Sequence, residues 1–314
     1  RRPLFSRLIY PIQSRPRPAR GTGGNMFIKN LNAYKLETKL AKTELTEALE
    51  SKPARQPGTQ ELSAYGFTAP VKQSSELVIE AGDYMLICAE ENKRDLPASV
   101  VKAEVDKQVE KIEQDQCRKV YKKERDQIKD EIIIDMLPNA FIKTSRVYAI
   151  IDSKNGMIFV GHSSKAKCEE MLNAIRSVLG SLPVRPLELN LEQCDVMTKI
   201  LRYGSHVFEC GTKATLKDID GIETVKFTNH DLGSEEVIDH IDAGKVVTEI
   251  ELLSKQDMRF VLNEKLTLKQ IKYPEREDDE SDFIGDLAIA GGLLTLLIGD
   301  LANEFGGIKI PERI

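Results

Sequence analysis

The sequence contains no tryptophan, four histidines and five cysteines, and these shortages limit the sites it can build. The number of cysteines is odd and no two have Cys-x-x-Cys spacing, which indicates neither a zinc site nor a disulfide framework. The histidines lack HExxH or HxH spacing, so no metal centre is expected. The simplest interpretation is a reduced cytosolic protein without a cofactor.

Motifs of common enzymatic chemistry are also missing: there is no GxxxxGK[ST] phosphate loop and no GxSxG nucleophile. One acidic run, Asp278, Asp279, Glu280 and Asp282, could be imagined as a magnesium site for phosphodiester cleavage. Nuclease carboxylates, however, usually project from ordered elements, and a run of acids in a loop is usually a solvated surface. We therefore expect a protein that is not an enzyme, and keep a metal-dependent DNA exonuclease as an alternative.

Long hydrophobic runs are scarce. Residues 287–299 form an apolar run of only 13 residues, whereas a membrane span needs about 20, so they predict a buried C-terminal helix. Residues 1–25 contain six arginines and no acid, and they lack the apolar segment of a secretory signal. We interpret them as a disordered extension or tag before Met26, the alternative being a basic arm that touches nucleic acid.

Negative charge dominates the remainder of the chain. The net charge is −5, and without the six arginines of residues 1–25 it becomes −11. Any surface for nucleic acid must therefore be local and segregated. One cluster contains six cations close together: Arg118, Lys119, Lys122, Lys123, Arg125 and Lys129.

This basic cluster has two interpretations. On one straight helix, the cations at spacings of three and four would form a stripe that can follow duplex phosphates. The alternative is an ordinary solvated helix face, with Glu124, Asp126 and Asp130 balancing the charge.

Residues 96–146 predict a long charged helical segment, because no Gly or Pro lies between Pro97 and Pro138. Its apolar row falters near residues 115–119, which favours a helical hairpin bent between residues 116 and 123 over a single rod. The basic cluster would then lie at or beside the bend. Phe141 follows the helix stop and either folds back onto Ile134 or Met136 or anchors a protein–protein contact.

The rest of the chain predicts short strands and helices in an α+β fold. Strand pairs are expected at 77–80 with 84–90, at 147–152 with 157–161, and in a meander over 245–273. Further strands are expected at 207–210 and 224–227. Asn155-Gly156 is a strong hairpin signal for the second pair. Residues 64–70 are interpreted as irregular and residues 91–95 as a charged loop. Helices are expected at 43–52, 164–179, 193–203, 234–242 and 283–305.

A series of short segments runs in order along the chain: MFIKNL at 26–31, RKVYKK at 118–123, IKDE at 128–131, LPNAF at 137–141, GSLPV at 180–184, DL at 231–232, SEE at 234–236 and HIDAGKVV at 240–247. Together they resemble the bacterial recombination-associated protein RdgC family. None of them is a catalytic signature, and residues 1–25 fall outside the resemblance.

The resemblance implies an α+β subunit of a ring-forming homodimer, with antiparallel β-hairpin and sheet parts and a protruding helical tip. It implies a discontinuous centre domain at 26–95 and 147–185, a helical tip arm at 96–146 and a base domain at 186–314. It places Phe141 at the tip contact between subunits.

The function implied by the resemblance is sequence-independent binding of double-stranded DNA, encircled by the ring. It further implies modulation of recombination that depends on the RecA recombinase, and a cytoplasmic, nucleoid-associated location. Lys226 would bind DNA if its strand lines the ring, although residues 226–231 are less basic here than is usual in the family. A protein-binding scaffold that holds no DNA is a further alternative.

Overall fold

The computed structural model describes residues 28–71, 74–218, 220–275 and 282–310. Its helices are α1 (Lys42–Glu50), α2 (Ala98–Gln116), α3 (Lys122–Met136), α4 (Lys165–Leu179), α5 (Gln193–Tyr203), α6 (Glu235–Asp242) and α7 (Phe283–Glu304). Its strands are β1 (Asn32–Leu36), β2 (Ser63–Thr68), β3 (Val78–Ala81), β4 (Tyr84–Asp95), β5 (Phe141–Asp152), β6 (Met157–Val160), β7 (Val184–Pro186), β8 (Phe208–Lys217), β9 (Thr224–Thr228), β10 (Val246–Ser254), β11 (Arg259–Asn263) and β12 (Leu268–Lys272). The α+β class is confirmed.

The first sheet is antiparallel, with the strand order β2-β4-β5-β6-β1-β7 and with β3 beside β4. Strands β4 and β5 pair along their whole length, from Tyr84 opposite Asp152 to Asp95 opposite Phe141. The hairpin signal at Asn155-Gly156 is confirmed by the pairing of β5 with β6. Gly156 has a φ of 60°, a conformation that L side chains rarely adopt.

Three predictions about this sheet were wrong. Residues 141–146, included in the predicted helical segment 96–146, are the first half of β5. Residues 64–70, interpreted as irregular, contain most of β2. Within β2, a Cβ at Gly66 would lie 2.4 Å from the carbonyl oxygen of Pro53, so this position needs glycine. Residues 91–95, interpreted as a charged loop, are the end of β4. Their charge is compatible with a strand because Glu91, for example, pairs with Lys167 at 2.7 Å.

The second sheet is also antiparallel, with the order β12-β11-β10-β8-β9, and it confirms the predicted meander. Leu31 covers the other side of β12, donating to the carbonyl oxygen of Leu268 at 2.7 Å and accepting from its N–H at 3.0 Å. The chain then continues into β1 of the first sheet. Residues 29–36 therefore join the two sheets.

One hydrophobic core is shared by both sheets and by helices α5, α6 and α7. Leu86 of β4 belongs to it, whereas its neighbour Ile87 belongs to a second core with α1 and α4, because alternate strand residues point to opposite faces. A third, small core joins α2 to α3 through Val101, Val105 and Ile128. The division into centre, arm and base domains stays a prediction.

Helix α7 is long and apolar enough, by length and composition alone, to cross a membrane. Instead, one of its faces packs on the first sheet, where a Cβ at Gly291 would lie 2.5 Å from the ring of Tyr84. Thr295 also donates a 2.8 Å hydrogen bond to the buried carboxylate of Asp152. The expected burial holds for this face only, since Leu296 is 54% exposed.

Candidate nucleic-acid interface

A tight bend separates α2 from α3, as the faltering apolar row predicted. Helix α2 ends at Gln116, and Cys117 has a left-handed φ of 49° that turns the chain. The carboxylate of Glu113 accepts a 2.9 Å hydrogen bond from the backbone N–H of Val120, which ties the bend to α2. The basic cluster lies on this bend and on the helix that follows.

Two of the six predicted cations are bound to acids of the arm. Arg118 donates a 2.7 Å hydrogen bond to Glu124, which raises the pKa of the guanidinium and lowers the pKa of the carboxyl. Arg125 of α3 pairs with Asp106 of α2. Because Arg118 lies in the bend between the helices, the straight stripe through it is wrong: its side chain stays exposed but is paired with Glu124.

The other four cations of the basic cluster are exposed: Lys119, Lys122, Lys123 and Lys129. None of them forms a salt bridge with a carboxylate in the described part of the chain. Lys122 and Lys123 begin α3, where unpaired backbone N–H groups add partial positive charge. The bend therefore concentrates positive potential that is available to an anion.

Lys226, the seventh predicted cation, lies on a different surface. It is exposed on β9, opposite Thr215 of β8. Ala214 and Leu216 are buried, so Thr215 and its neighbours Lys213 and Lys217 point away from the core. The structure thus groups Lys226 with other lysines of the second sheet and not with the arm cluster.

The outer face of the second sheet, which points away from the shared core, carries six cations. The strand alternation and the register place them on this one face: Lys213, Lys217, Lys226, Arg259, Lys269 and Lys272. Lys269 pairs with Glu249 at 2.7 Å and Lys213 lies 3.4 Å from Glu251. The remaining four form no salt bridge within the described ranges.

A buried carboxylate, Glu251, organises the middle of this face. It accepts hydrogen bonds from the N–H of Thr212 at 2.9 Å and from its hydroxyl at 3.2 Å. Burial by itself raises the pKa of Glu251, but these hydrogen bonds together with Lys213 and Arg259 leave it below its ordinary value. Gly211 provides the space, since a Cβ there would lie 2.5 Å from the carboxylate.

Sequence reasoning missed five of these six sheet cations. The strand expected at 207–210 continues to Lys217, so Lys213 and Lys217 fell outside it. The signal was present, because Lys213, Thr215 and Lys217 alternate with apolar Ala214 and Leu216.

Phe141 lies at the start of β5 and is 88% exposed. A side chain this exposed is not packed as a staple onto Ile134 or Met136. It lines what we call the acidic groove, a cavity of about 780 Å³ beside α2 and α3. Other residues that line this groove are Ile112, Ile132, Asp95, Glu104, Glu131 and Asp135. The role of Phe141 in a subunit contact stays a prediction.

Metal chemistry finds no support in the part of the chain that the structure describes, where no group of three or more His, Cys, Asp or Glu could hold an ion. Asp278, Asp279 and Glu280 lie outside the described residues. Asp282 caps α7 by accepting from the N–H of Ile284 at 3.4 Å. Residues 1–25 and Met26-Phe27 are likewise outside the described ranges.

Comparison with known proteins gives a consistent result over most of the chain. The family model described as "Putative exonuclease, RdgC" matches residues 26–308. Proteins named "Recombination-associated protein RdgC" are 39% identical in Pseudomonas fluorescens (strain Pf0-1) and 41% identical in Pseudomonas putida (strain GB-1). Each alignment is 309 positions long and covers 92% of this chain and 100% of the relative.

Proposed function

The chain belongs to the RdgC family of recombination-associated proteins, and from this we propose that it binds double-stranded DNA without sequence specificity. In this proposal two subunits form a ring that encircles the duplex and modulates RecA-dependent homologous recombination. The protein acts without catalysis, in the cytoplasm and associated with the nucleoid.

The observation that carries the proposal is the segregation of positive charge on an acidic protein. The net charge is −5, yet each of two surfaces presents four cations that form no salt bridge within the described residues. Contacts from such cations to phosphates position a protein on DNA but carry no sequence information. Charge arranged in this way supports binding to any duplex.

A closed ring provides retention on DNA that a few salt-sensitive phosphate contacts cannot provide. Phosphate contacts weaken steeply with salt, by roughly three to five decades between about 50 and 200 mM for six to ten contacts. A closed ring on a circular duplex is retained after those contacts weaken. The exposed Phe141 beside the acidic groove supports one of the contacts that such a ring needs.

The test compares one plasmid as a closed circle and after linearisation, using the full-length protein. We expect binding to both forms at about 50 mM salt, and retention on the circle alone at about 200 mM. Absence of binding to either form at low salt would contradict the DNA proposal. Equal loss from both forms at high salt would contradict encirclement only.

Catalysis is tested separately, because the name of the matching family model mentions an exonuclease. Labelled linear duplex is incubated with the protein and magnesium or manganese. We expect full-length product; shortened strands that depend on the metal would establish the exonuclease alternative instead.

A further inference from the structure

A second groove of the arm differs in charge from the acidic groove beside Phe141. This basic groove is a cavity of about 630 Å³ between the end of β4 and helices α2 and α3. Its floor includes Leu62, Val101 and Ile133, and its rim includes Lys93, Lys102 and Lys129. The three lysines are exposed and form no salt bridge within the described residues.

The two grooves have opposite charge although the same two helices line both. The acidic groove is lined by Asp95, Glu104, Glu131 and Asp135 and by no cation. In the basic groove, cations outnumber the two acids that line it, Asp95 and Asp126. A negatively charged partner is therefore attracted to one groove and repelled by the other.

Arg94 adds a further positive charge beside the basic groove. It lines the groove, is only 7% exposed, and donates to the carbonyl oxygens of Leu137 at 2.7 Å and Gly58 at 3.1 Å. Its Nε atom is buried without a hydrogen-bond partner, and no described carboxylate forms a salt bridge with it. The guanidinium also donates to Pro138 and Pro57, so Arg94 is a fixed positive charge beside the groove that attracts a carboxylate bound there.

The apolar floor distinguishes the type of anion. Leu62 is 48% exposed at the groove, so an apolar side chain of a ligand has an apolar contact there. A phosphate backbone has no side chain to bury there, whereas an acidic peptide with an apolar side chain satisfies floor and rim together. The volume also lies in the range of pockets that bind small ligands or a few residues.

We propose that the basic groove binds an acidic linear peptide of a partner protein, anchored by one or two large apolar side chains. The carboxylates lie against Lys93, Lys102 and Lys129, and the apolar side chain covers Leu62. Peptide binding does not depend on the proposed DNA binding. Where both occur, they compete for Lys129.

The test measures fluorescence anisotropy of a labelled peptide of alternating Asp and Glu ending in Ile-Phe, added to the full-length protein. A matched peptide of equal charge ends in Ser-Ser. We expect the Ile-Phe peptide to bind at least about tenfold more tightly, because burial of two large apolar side chains adds to charge attraction.

Variants locate the site. K102E/K129E should weaken binding of the Ile-Phe peptide by about tenfold or more, since it replaces attraction with repulsion. K111E is the control, because Lys111 is exposed on the same helix but does not line the groove. Leu62→Ser should weaken binding of the Ile-Phe peptide and leave binding of the Ser-Ser peptide unchanged. Circular dichroism checks that each variant is folded.

Several results would overturn the proposal: no binding of the Ile-Phe peptide, equal binding of both peptides, or an effect of K111E as large as that of K102E/K129E. If the Ile-Phe peptide fails to bind and K102E/K129E weakens the binding of a short duplex, the groove binds DNA instead. Because the peptide is measured without DNA, failure here leaves the DNA proposal standing.

Discussion

The guanidinium of Arg94 donates a 2.7 Å hydrogen bond to the carbonyl oxygen of Leu137, which joins the end of β4 to the end of the helical arm. Leu137 begins the single 3-10 turn Leu137–Asn139 between α3 and β5. The same guanidinium donates to the carbonyl oxygens of Pro57 and Gly58, so the loop between α1 and β2 is held to the arm. This one buried side chain fixes the chain just before Phe141.

Replacement of Arg94 by leucine should lower the free energy of unfolding by about 2–4 kcal/mol, because several buried carbonyl groups lose their donor. Arg94→Lys should recover only part of this loss, since one ammonium cannot reach both segments. Chemical denaturation measures both variants. Lys93→Ala, at the exposed neighbouring position, should change stability by less than about 0.5 kcal/mol. A similarly small effect for Arg94→Leu would contradict the anchoring role.

On the arm, Lys122 and Lys123 should matter more for DNA binding than Arg118, because Arg118 is already paired with Glu124. We expect K122A/K123A to weaken duplex binding about equally for all sequences and to reduce the salt slope by about 1–2. R118A should have the smaller effect in the same gel-shift series. The reverse order would show that Arg118 leaves Glu124 to contact phosphate.

The outer face of the second sheet provides a separate prediction. K217E/K226E should weaken duplex binding and lower the salt slope, because both lysines point away from the core without a carboxylate partner in the described chain. Lys255 is exposed in the turn after β10, so K255E is a control whose charge change equals that of K217E or K226E alone. If K217E and K226E bind duplex as tightly as K255E does, DNA does not contact this face.

Phe141→Ser should leave the stability of the subunit nearly unchanged, because the ring is 88% exposed. It should weaken the subunit contact and shorten retention on circular plasmid at high salt. Sedimentation velocity and the plasmid assay measure these two effects. Tyr121→Ser removes another aromatic ring of the arm that is 77% exposed, and should leave both unchanged. Equal behaviour of the two variants would exclude an anchor at Phe141.

Glu251 predicts a pH dependence of stability. Its folded pKa is lowered, so its contribution is present above its unfolded pKa and is lost as pH falls through the folded value. Glu251→Gln should therefore lower the free energy of unfolding by about 1–3 kcal/mol at neutral pH. The difference from the parent should shrink below about pH 4, near the ordinary carboxyl pKa. A difference independent of pH would contradict this role.

The sequence predicted elements whose signals are local. The turn at Asn155-Gly156 and the bend after Gln116 were found because a tight turn needs particular residues and a helix needs an unbroken apolar row. Charged strand ends were missed because their partners are distant: Glu91 pairs with Lys167, and Arg146 pairs with Glu90. Pattern alone indicates a loop at such positions.

In the candidate interface, too, local features could be predicted from the sequence and contacts between distant residues could not. A run of cations such as residues 118–129 is visible in the sequence, but its pairing with Asp106 and Glu124 requires the folded hairpin. The outer face of the second sheet combines cations from β8, β9, β11 and β12, which only the register brings together. Arg94 gave no signal, because its partners are backbone carbonyls of two separate segments.

The contact between residues 29–32 and the region of β12 joins the two sheets, and it constrains the order in which this protein can fold. Thr267 donates a 2.9 Å hydrogen bond to Asn32, and both residues are buried although 235 positions separate them. A ribosome delivers Asn32 long before Thr267. Strand β1 can pair with β6 and β7 earlier, but residues 29–31 must wait for β12 before the shared core closes. Closing so long a loop is slow, and the edge of β12 that Leu31 covers stays open to wrong partners until it occurs.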